Sequence, residues 1–282
     1  MSAVAFLLLQ TGTTYRDLVY SKVGSRELHL DLRLPVDAPK PAPLIVIIHG
    51  GGWESGSKDG ATNPRLLRKG YAIASIEYRL SGEAIFPAQI QDCKAAIRWL
   101  RAHAKDYGLD SQRFGVTGHS AGGHLSSLVG TSGGVKEFEV GQNLDQSSAV
   151  QAVCALSGPT DFLQMDQQAV GGGMLKHDNT NSPESRLLGG KITEHPDWVK
   201  KANPITYVDP KDPPFCLIHG TKDLTVAPGQ ATLLQESLAK AHVPVELHFL
   251  EGAGHRLGGS DPGRWTEEFF DRQFKDRKPP RS

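Results

Sequence analysis

The segment that decides the fold is residues 114–125, FGVTGHSAGGHL, where a short apolar run leads into a glycine-flanked serine and a second apolar stretch begins at once. The spacing predicts a strand over 114–117 and a helix from 121 to about 129. The pattern G-x-S-x-G between a strand and a helix is typical of a sharp turn, because its glycines allow the two elements to approach closely. Such a turn presents the serine hydroxyl at the end of the strand, so Ser120 is the predicted nucleophile.

A second copy of the same motif follows at residues 130–134, GTSGG. The pattern is short, so a match by itself is weak evidence and the context has to separate the two copies. Ser132 falls in the polar end of the predicted helix and precedes no new periodic segment. We therefore interpret Ser132 as part of a loop that terminates the helix.

Buried β-branched runs on both sides of the first motif indicate a mostly parallel sheet. A hairpin is predicted over 15–34, with its turn at Gly24-Ser25. The remaining strands are predicted at 44–48, 72–76, 150–156, 214–219 and 243–250. The other helices are predicted at 87–104, 227–241 and 265–274. Strands that alternate with helices predict an α/β fold with helices on both faces of a central sheet.

Residues 158–205 differ from the rest of the chain: they are rich in Gly, Gln, Asn, Ser and His and show no sustained apolar period. A loop of this length inside a domain is more often a lid or a binding element than packing. We therefore expect one α/β domain over 15–282 with a small lid insertion at about 158–205. Residues 1–14 are expected to form an N-terminal tail or a short export signal.

The apolar run at residues 3–9 hints at export, but it lacks a basic n-region and an obvious cleavage site. The sequence therefore leaves a cytoplasmic and an exported location both open.

Composition limits the partners of this chain. Its 282 residues carry 31 basic and 31 acidic side chains, so no dominant attraction to nucleic acid or to an anionic membrane is expected. No segment approaches the roughly 18–20 apolar residues of a membrane span. The three cysteines have no CxxC spacing and are interpreted as buried thiols: Cys93, Cys154 and Cys216. No metal site and no cofactor is predicted.

A serine nucleophile needs a base, and the base needs an acid that fixes its tautomer. His255 follows the last predicted strand in the sequence EGAGH, and Asp223 follows the strand before it in HGTKD. Parallel strands place their carboxyl ends at one edge of the sheet, so Ser120, Asp223 and His255 are predicted to meet there. Asp161, in SGPTD after another strand, is the alternative acid; its other interpretation is a cap of the insertion.

The sequence HGGGW at 49–53 comes directly after the strand at 44–48. Acyl transfer needs backbone N–H donors at the developing oxyanion, and glycines let the backbone approach without a Cβ. In the strand-turn-helix pattern such a loop works with the N–H of the residue after the nucleophile, here Ala121. The motif favours an oxyanion hole over a plain glycine-rich turn. His49 is expected to shape the loop rather than to carry a proton.

Together these residues resemble the α/β-hydrolase esterases related to hormone-sensitive lipase. The nearest branch is the small bacterial carbohydrate and feruloyl esterase type called BD-FAE. The resemblance extends over about residues 27–275 and rests on these segments: HGGGW (49–53), YRL (78–80), FPAQIQDCKAAIRWL (86–100), GHSAGGHLSSL (118–128), GPTDF (158–162), NPITYV (203–208), PPFCLIHGTKD (213–223) and LEGAGH (250–255).

The resemblance implies an α/β-hydrolase fold and a carboxylic ester hydrolase. In that family pattern the catalytic triad is Ser120, Asp223 and His255. The oxyanion donors are Gly51, Gly52 and Ala121. The expected substrates are short-chain acyl esters, such as acetyl or feruloyl esters of plant carbohydrate.

Larger lipase relatives carry a large N-terminal helical cap. Only about ten residues precede the first predicted hairpin here, so such a cap is not expected, and long-chain lipid substrates are disfavoured. Trp53, His119 and Trp198 are candidates for the substrate pocket, with core packing as the alternative for the two tryptophans.

An amide hydrolase, either an arylformamidase or a small serine peptidase, is the alternative function because the same triad serves both reactions. A non-catalytic binding protein is a third hypothesis, against which the intact triad argues.

Overall fold

An eight-stranded sheet forms the centre of the computed structural model, which describes residues 12–36, 40–60 and 62–275. In chain order the strands are β1 (Thr14–Val23), β2 (Arg26–Arg33), β3 (Ala42–Ile48), β4 (Ala72–Ile76), β5 (Leu109–His119), β6 (Ala152–Leu156), β7 (Phe215–Gly220) and β8 (Val245–Leu250). Across the sheet their order is β1-β2-β4-β3-β5-β6-β7-β8. Strands β3 to β8 pair with one another in parallel. At one edge of the sheet, β2 pairs antiparallel with β4, and β1 pairs antiparallel with β2. The prediction of a mostly parallel sheet is confirmed.

Helices cover both faces of this sheet. They are α1 (Pro64–Arg68), α2 (Ala88–Ala102), α3 (Ala104–Tyr107), α4 (Ala121–Thr131), α5 (Met165–Gln168), α6 (Pro183–Leu188), α7 (Pro196–Ala202), α8 (Gly229–Lys240) and α9 (Asp261–Phe274). Side chains alternate across β3 as the pleat requires. Leu44 and Val46 pack with α2, α4 and α8 in one core, and Ile45 and Ile47 pack with α1 and α9 in the other.

The structure differs from the prediction mainly at element ends. Strand β5 begins at Leu109 rather than at Phe114, and α9 begins at Asp261 rather than at Trp265. Helix α1 is not predicted from the sequence, because Leu66 is the one buried residue of its five.

The apolar run at 3–9 lies outside the described residues. No helix in the described part of the chain is both long and apolar enough to cross a bilayer.

The segment 158–205 contains more regular structure than its composition indicates. It holds α5, α6 and α7 together with several 3-10 turns. Its apolar side chains join the core on the α4 face of the sheet: Phe162, Met165, Leu187, Leu188, Ile192, Val199 and Ala202. The segment therefore packs on the core, and its function as a lid stays a prediction. Helices of four to seven residues are too short to show a 3.6-residue period in the sequence.

Candidate active site

Ser120 lies at the sharp turn between β5 and α4. Its backbone angles, φ 58° and ψ −123°, are a combination that residues with a side chain rarely adopt. Glycines on both sides make the turn possible. A Cβ on Gly118 would lie 2.4 Å from the carbonyl oxygen of Gly122, and one on Gly122 would lie 2.1 Å from that of Ile48. The motif thus holds the start of α4 directly against the ends of β3 and β5.

The three residues predicted as nucleophile, base and acid lie in one hydrogen-bonded chain. Nε2 of His255 is 2.9 Å from Oγ of Ser120, and Nδ1 of His255 is 2.7 Å from Oδ2 of Asp223. A carboxylate only accepts hydrogen bonds, so Nδ1 carries the proton that faces Asp223. Nε2 is then free to accept the proton of the Ser120 hydroxyl, which is the arrangement that general-base catalysis needs.

Asp223 is fully buried and held by several donors. Its Oδ1 accepts hydrogen bonds from the backbone N–H groups of Thr225 and Val226, each at 2.9 Å. His219, at the end of β7, lies 3.3 Å from Oδ2 and also binds the Val226 carbonyl. Burial alone would raise the pKa of Asp223, but the interactions with His219 and His255 outweigh it and hold that pKa well below its usual range. Asp223 therefore stays ionised beside the imidazole of His255.

The alternative candidates are engaged elsewhere. The carboxylate of Asp161 accepts hydrogen bonds from the backbone N–H of Leu163 and from the side chain of Gln164, so it caps the 3-10 turn at the start of the insertion. Ser132 lies at the far end of α4, with its hydroxyl bonded to the Leu128 carbonyl. These contacts match the structural interpretation of both residues.

The loop after β3 crosses the nucleophile turn at van der Waals distance. A Cβ on Gly50 would lie 2.7 Å from the carbonyl oxygen of His119 and 3.5 Å from the Cβ of Ser120. Gly51 and Gly52 have φ values of 109° and 61°, which favour glycine. Ala121 is the first residue of α4, and the first N–H groups of a helix have no partner within it. Gly51, Gly52 and Ala121 line the same cavity as Ser120, and their role as oxyanion donors stays a prediction.

Two cavities meet at the triad. One, of about 270 Å³, is lined by Ser120, by the predicted oxyanion residues and by side chains of the insertion. The other is a more open groove of about 860 Å³, lined by His255 and the loop around it from 250 to 258. Thr225 lines both. An ester bound at Ser120 thus has a small cavity on one side and a larger, more open groove on the other.

The three predicted pocket residues have different positions. Trp53 lines the small cavity and is also buried against His124 and Phe162, with ring centroids 5.2 and 5.4 Å apart. The indole of Trp53 is thus both a pocket wall and a core side chain.

His119 and Trp198 stay predictions for the substrate pocket, because their side chains lie outside the lining of the two cavities described above. His119 lines a third cavity, which shares Gly51 with the small one, and its Nε2 donates to the carbonyl oxygen of His255 at 2.6 Å, which positions the loop carrying the base. Trp198 is 40% exposed and stacks on His195 at 3.7 Å, because α7 directs it outward. Neither residue lines the cavity of Ser120 or the groove of His255.

The sequence analysis missed a buried histidine and glutamate that lie side by side next to the small cavity. Nδ1 of His177 lies 3.1 Å from Oε1 of Glu184, and the two side chains are 5% and 4% exposed. Both residues line the cavity that contains Ser120. The sequence carries no signal for this pair, because the two residues stand in a polar segment and seven positions apart.

One group of possible metal ligands occurs in the described residues, away from the triad. The ligand atoms of Cys216, Glu246 and His248, on β7 and β8, lie within 4.8 Å of one another. Both carboxylate oxygens of Glu246 already accept hydrogen bonds from Arg272, at 2.6 and 2.7 Å. His248 stacks on Trp265. These contacts describe an ion pair rather than a coordination sphere.

The sheet order and the strained serine turn after β5 define an α/β-hydrolase fold. The BD-FAE family model matches residues 30–238, and the chain belongs to that family.

Relatives and solved structures agree with this assignment. Esterase LipC of Mycobacterium tuberculosis (strain ATCC 25618 / H37Rv) is 31% identical over 249 residues, which are 83% of this chain and 58% of LipC. The chain therefore spans little more than half the length of this curated relative.

Two solved structures superpose over 93% of the chain. One is a bifunctional GH43-CE protein of Bacteroides eggerthii, with a TM-score of 0.83, 36% identity and 38% of that chain covered. The other is a truncated form of a carbohydrate esterase from gut microbiota, with a TM-score of 0.81, 33% identity and 94% of that chain covered. The second structure is named a carbohydrate esterase, and LipC is named an esterase.

Proposed function

We propose that this chain is a serine carboxylic ester hydrolase that cleaves short acyl esters, with acetylated carbohydrate as its substrate class. The observation that carries the proposal is the hydrogen-bonded chain from Ser120 through His255 to Asp223, which opens onto a cavity. The likeness to a carbohydrate esterase over nearly the whole of both chains supports the substrate class.

The chemistry follows from the proton positions. His255 Nε2 accepts the hydroxyl proton as Oγ of Ser120 attacks the ester carbonyl. The negative charge that develops on the carbonyl oxygen is stabilised by the N–H groups of Gly51, Gly52 and Ala121. The imidazolium then gives its proton to the departing alcohol, which leaves an acyl-enzyme on Ser120. A water molecule, deprotonated by His255, releases the acid and restores the serine.

The ionised carboxylate of Asp223 fixes the imidazole tautomer and stabilises the imidazolium in both steps. It needs no proton of its own, which agrees with its lowered pKa.

The sizes of the two cavities favour a short group beside a bulky one. The cavity at Ser120 has a volume of about 270 Å³, whereas the groove of about 860 Å³ at His255 has room for a sugar. The departing alcohol receives its proton from His255, so a sugar alcohol in this groove is placed correctly.

The test is a series of p-nitrophenyl esters from acetyl through butyryl to dodecanoyl. We expect kcat/KM to be highest for acetyl or butyryl and to fall by at least about tenfold at dodecanoyl. Each additional methylene would favour binding by about 0.8 kcal/mol only where an apolar slot receives it. The Ser120→Ala variant provides the baseline. A kcat/KM that rises up to dodecanoyl would contradict the short-acyl proposal, and activity that survives in Ser120→Ala would contradict the serine mechanism.

A further inference from the structure

His219 lies next to the end of β7 and makes its polar contacts through one ring nitrogen. Nε2 is 2.9 Å from the carbonyl oxygen of Val226 and 3.3 Å from Oδ2 of Asp223. A carbonyl oxygen only accepts hydrogen bonds, so Nε2 carries the proton of the ring. Nδ1 has no hydrogen-bond partner among the residues that the structure describes. His219 therefore presents one N–H group to the Val226 carbonyl and to the carboxylate of Asp223.

The imidazole of His219 acts on both oxygens of that carboxylate. Oδ2, which faces the N–H group of His219, also accepts a hydrogen bond from Nδ1 of His255 at 2.7 Å. Oδ1 accepts one from the backbone N–H of Val226 at 2.9 Å. Because the carbonyl of Val226 is bonded to His219, the ring also holds the residue that binds Oδ1. The carboxylate therefore has little freedom to rotate away from His255.

Burial prevents water from replacing these contacts. The side chains of His219 and Asp223 are 1% and 0% exposed. Burial alone would raise the pKa of Asp223, and the hydrogen bonds from His219 and His255 oppose that effect. A buried acceptor that loses its donor stays unsatisfied, which costs more when the acceptor is charged. Removal of the N–H group of His219 would therefore disturb the carboxylate that orients the base.

We propose that His219 is a positioning residue, which keeps the carboxylate of Asp223 oriented toward Nδ1 of His255. This inference rests on the proposed function and adds a residue to the mechanism of that same site. His219 lines neither the cavity at Ser120 nor the groove at His255. It acts on the reaction only through Asp223, and no substrate contact is assigned to it.

Two amide variants test the role of the N–H group, with p-nitrophenyl acetate as the substrate. A glutamine side chain places its amide nitrogen close to the position of Nε2, whereas that of asparagine is one bond shorter and does not reach Oδ2. His219→Asn should lower kcat by about 10- to 100-fold, the loss expected for one hydrogen bond to a charged group, and should change KM by less than about threefold. His219→Gln should keep kcat within about threefold of wild type, because the donor is restored.

A double variant tests whether the effect passes through Asp223. In an Asp223→Asn background, the additional change His219→Asn should lower kcat by less than about twofold, because the carboxylate that His219 positions is already absent. A merely structural role would lower kcat by the same factor in both backgrounds.

A spectroscopic signature reports the same geometry without catalysis. The proton on Nδ1 of His255, shared with Asp223 at 2.7 Å, should give a low-field signal in the proton NMR spectrum. We expect this signal to shift in His219→Asn and to keep its wild-type position in His219→Gln. The matched control is His124, which is also buried, bonds a backbone carbonyl through Nε2 at 2.7 Å and has no partner for Nδ1 among the described residues. His124→Asn should leave the signal in place.

The outcomes separate this inference from the proposed function. Wild-type kcat and an unmoved NMR signal in folded His219→Asn, or equal losses in the asparagine and glutamine variants, would overturn the inference alone. If His219→Asn does not fold, His219→Met takes its place, since methionine also removes the donor. Absence of any hydrolysis that depends on Ser120 in the wild-type protein would overturn the proposed function and the inference with it.

Discussion

Helix α4 begins and ends with the same five-residue pattern, and its two ends have different structures. At the beginning, Ser120 has a φ of 58° and its hydroxyl contacts the imidazole of His255. At the end, Ser132 has a φ of −98° and its hydroxyl binds back to the carbonyl of Leu128 at 2.5 Å. The G-x-S-x-G pattern therefore presents a serine for chemistry only where a strand runs directly into a helix.

The electrostatics of the two ends differ as well. The start of α4 offers N–H groups without helical partners, and the helix dipole adds partial positive charge there. At the other end the ammonium group of buried Lys94 donates to the Ser132 carbonyl at 2.6 Å and to Glu139 at 2.8 Å. Protein groups thus satisfy the polar atoms of the C-terminal end, whereas the N-terminal end is left available for a substrate oxygen.

The largest expected effect is on the two serines themselves. Ser120→Ala should lower kcat by a factor on the order of 10⁴ or more, because the nucleophile is lost. Ser132→Ala should keep its activity, because that hydroxyl contacts only its own helix. The measurement is p-nitrophenyl acetate hydrolysis, together with labelling by a phosphonate probe. A label on Ser132, or full activity in Ser120→Ala, would reverse the assignment of the two ends.

The second-largest effect concerns Asp223, the predicted acid that orients His255 beside Ser120 at the start of α4. Asp223→Asn should lower kcat by a factor on the order of 10⁴, because an amide favours the wrong imidazole tautomer. Asp161→Asn should have a modest effect, since Asp161 caps a turn of the insertion. Circular dichroism checks that both variants fold. An inactive Asp161→Asn beside an active Asp223→Asn would show that the acid is wrongly assigned, and Ser120 and His255 would keep their roles.

The sequence predicts the start of α4 better than it predicts the insertion. Ser120, His255 and Asp223 each follow a strand, and strands of continuous apolar residues are readable without knowledge of their neighbours. Residues 158–205 form short helices whose buried side chains depend on contacts from distant parts of the chain.

The pairing of His177 with Glu184 and the outward direction of Trp198 arise from such contacts, so neither is visible in the sequence. The position of His119 against the His255 carbonyl is likewise a contact between residues 136 positions apart.

A smaller effect is expected from the glycines of the two motifs, and it is on stability. Gly122→Ala should destabilise the fold by about 3 kcal/mol or more, because its Cβ would lie 2.1 Å from the Ile48 carbonyl oxygen. Gly134→Ala should change the free energy of unfolding by no more than about 0.5 kcal/mol, since a Cβ there meets nothing within 4 Å. Urea unfolding measures both. Equal losses would mean that the second motif is packed as tightly as the first.

The smallest effect is a pH dependence at the C-terminal end of α4. Burial lowers the pKa of Lys94 from its ordinary value of 10.5; its interaction with Glu139 opposes this shift, while the nearby Arg98 adds to it. As pH rises toward 10.5, the folded chain therefore loses this proton before the unfolded chain does. In that window the unfolded state binds more protons, so the stability conferred by Lys94 increases with pH.

Lys94→Met removes this titration and leaves the nucleophile end untouched. The difference in the free energy of unfolding, wild type minus variant, should therefore grow between pH 8 and 10.5, while other titrating groups cancel in the difference. Urea unfolding across that pH range measures it, and ester hydrolysis at pH 8 should be the same in both proteins. A difference that falls with pH would show that the attraction of Glu139 outweighs burial. A loss of activity would show that the two ends of α4 are coupled, which their separate hydrogen-bond partners argue against.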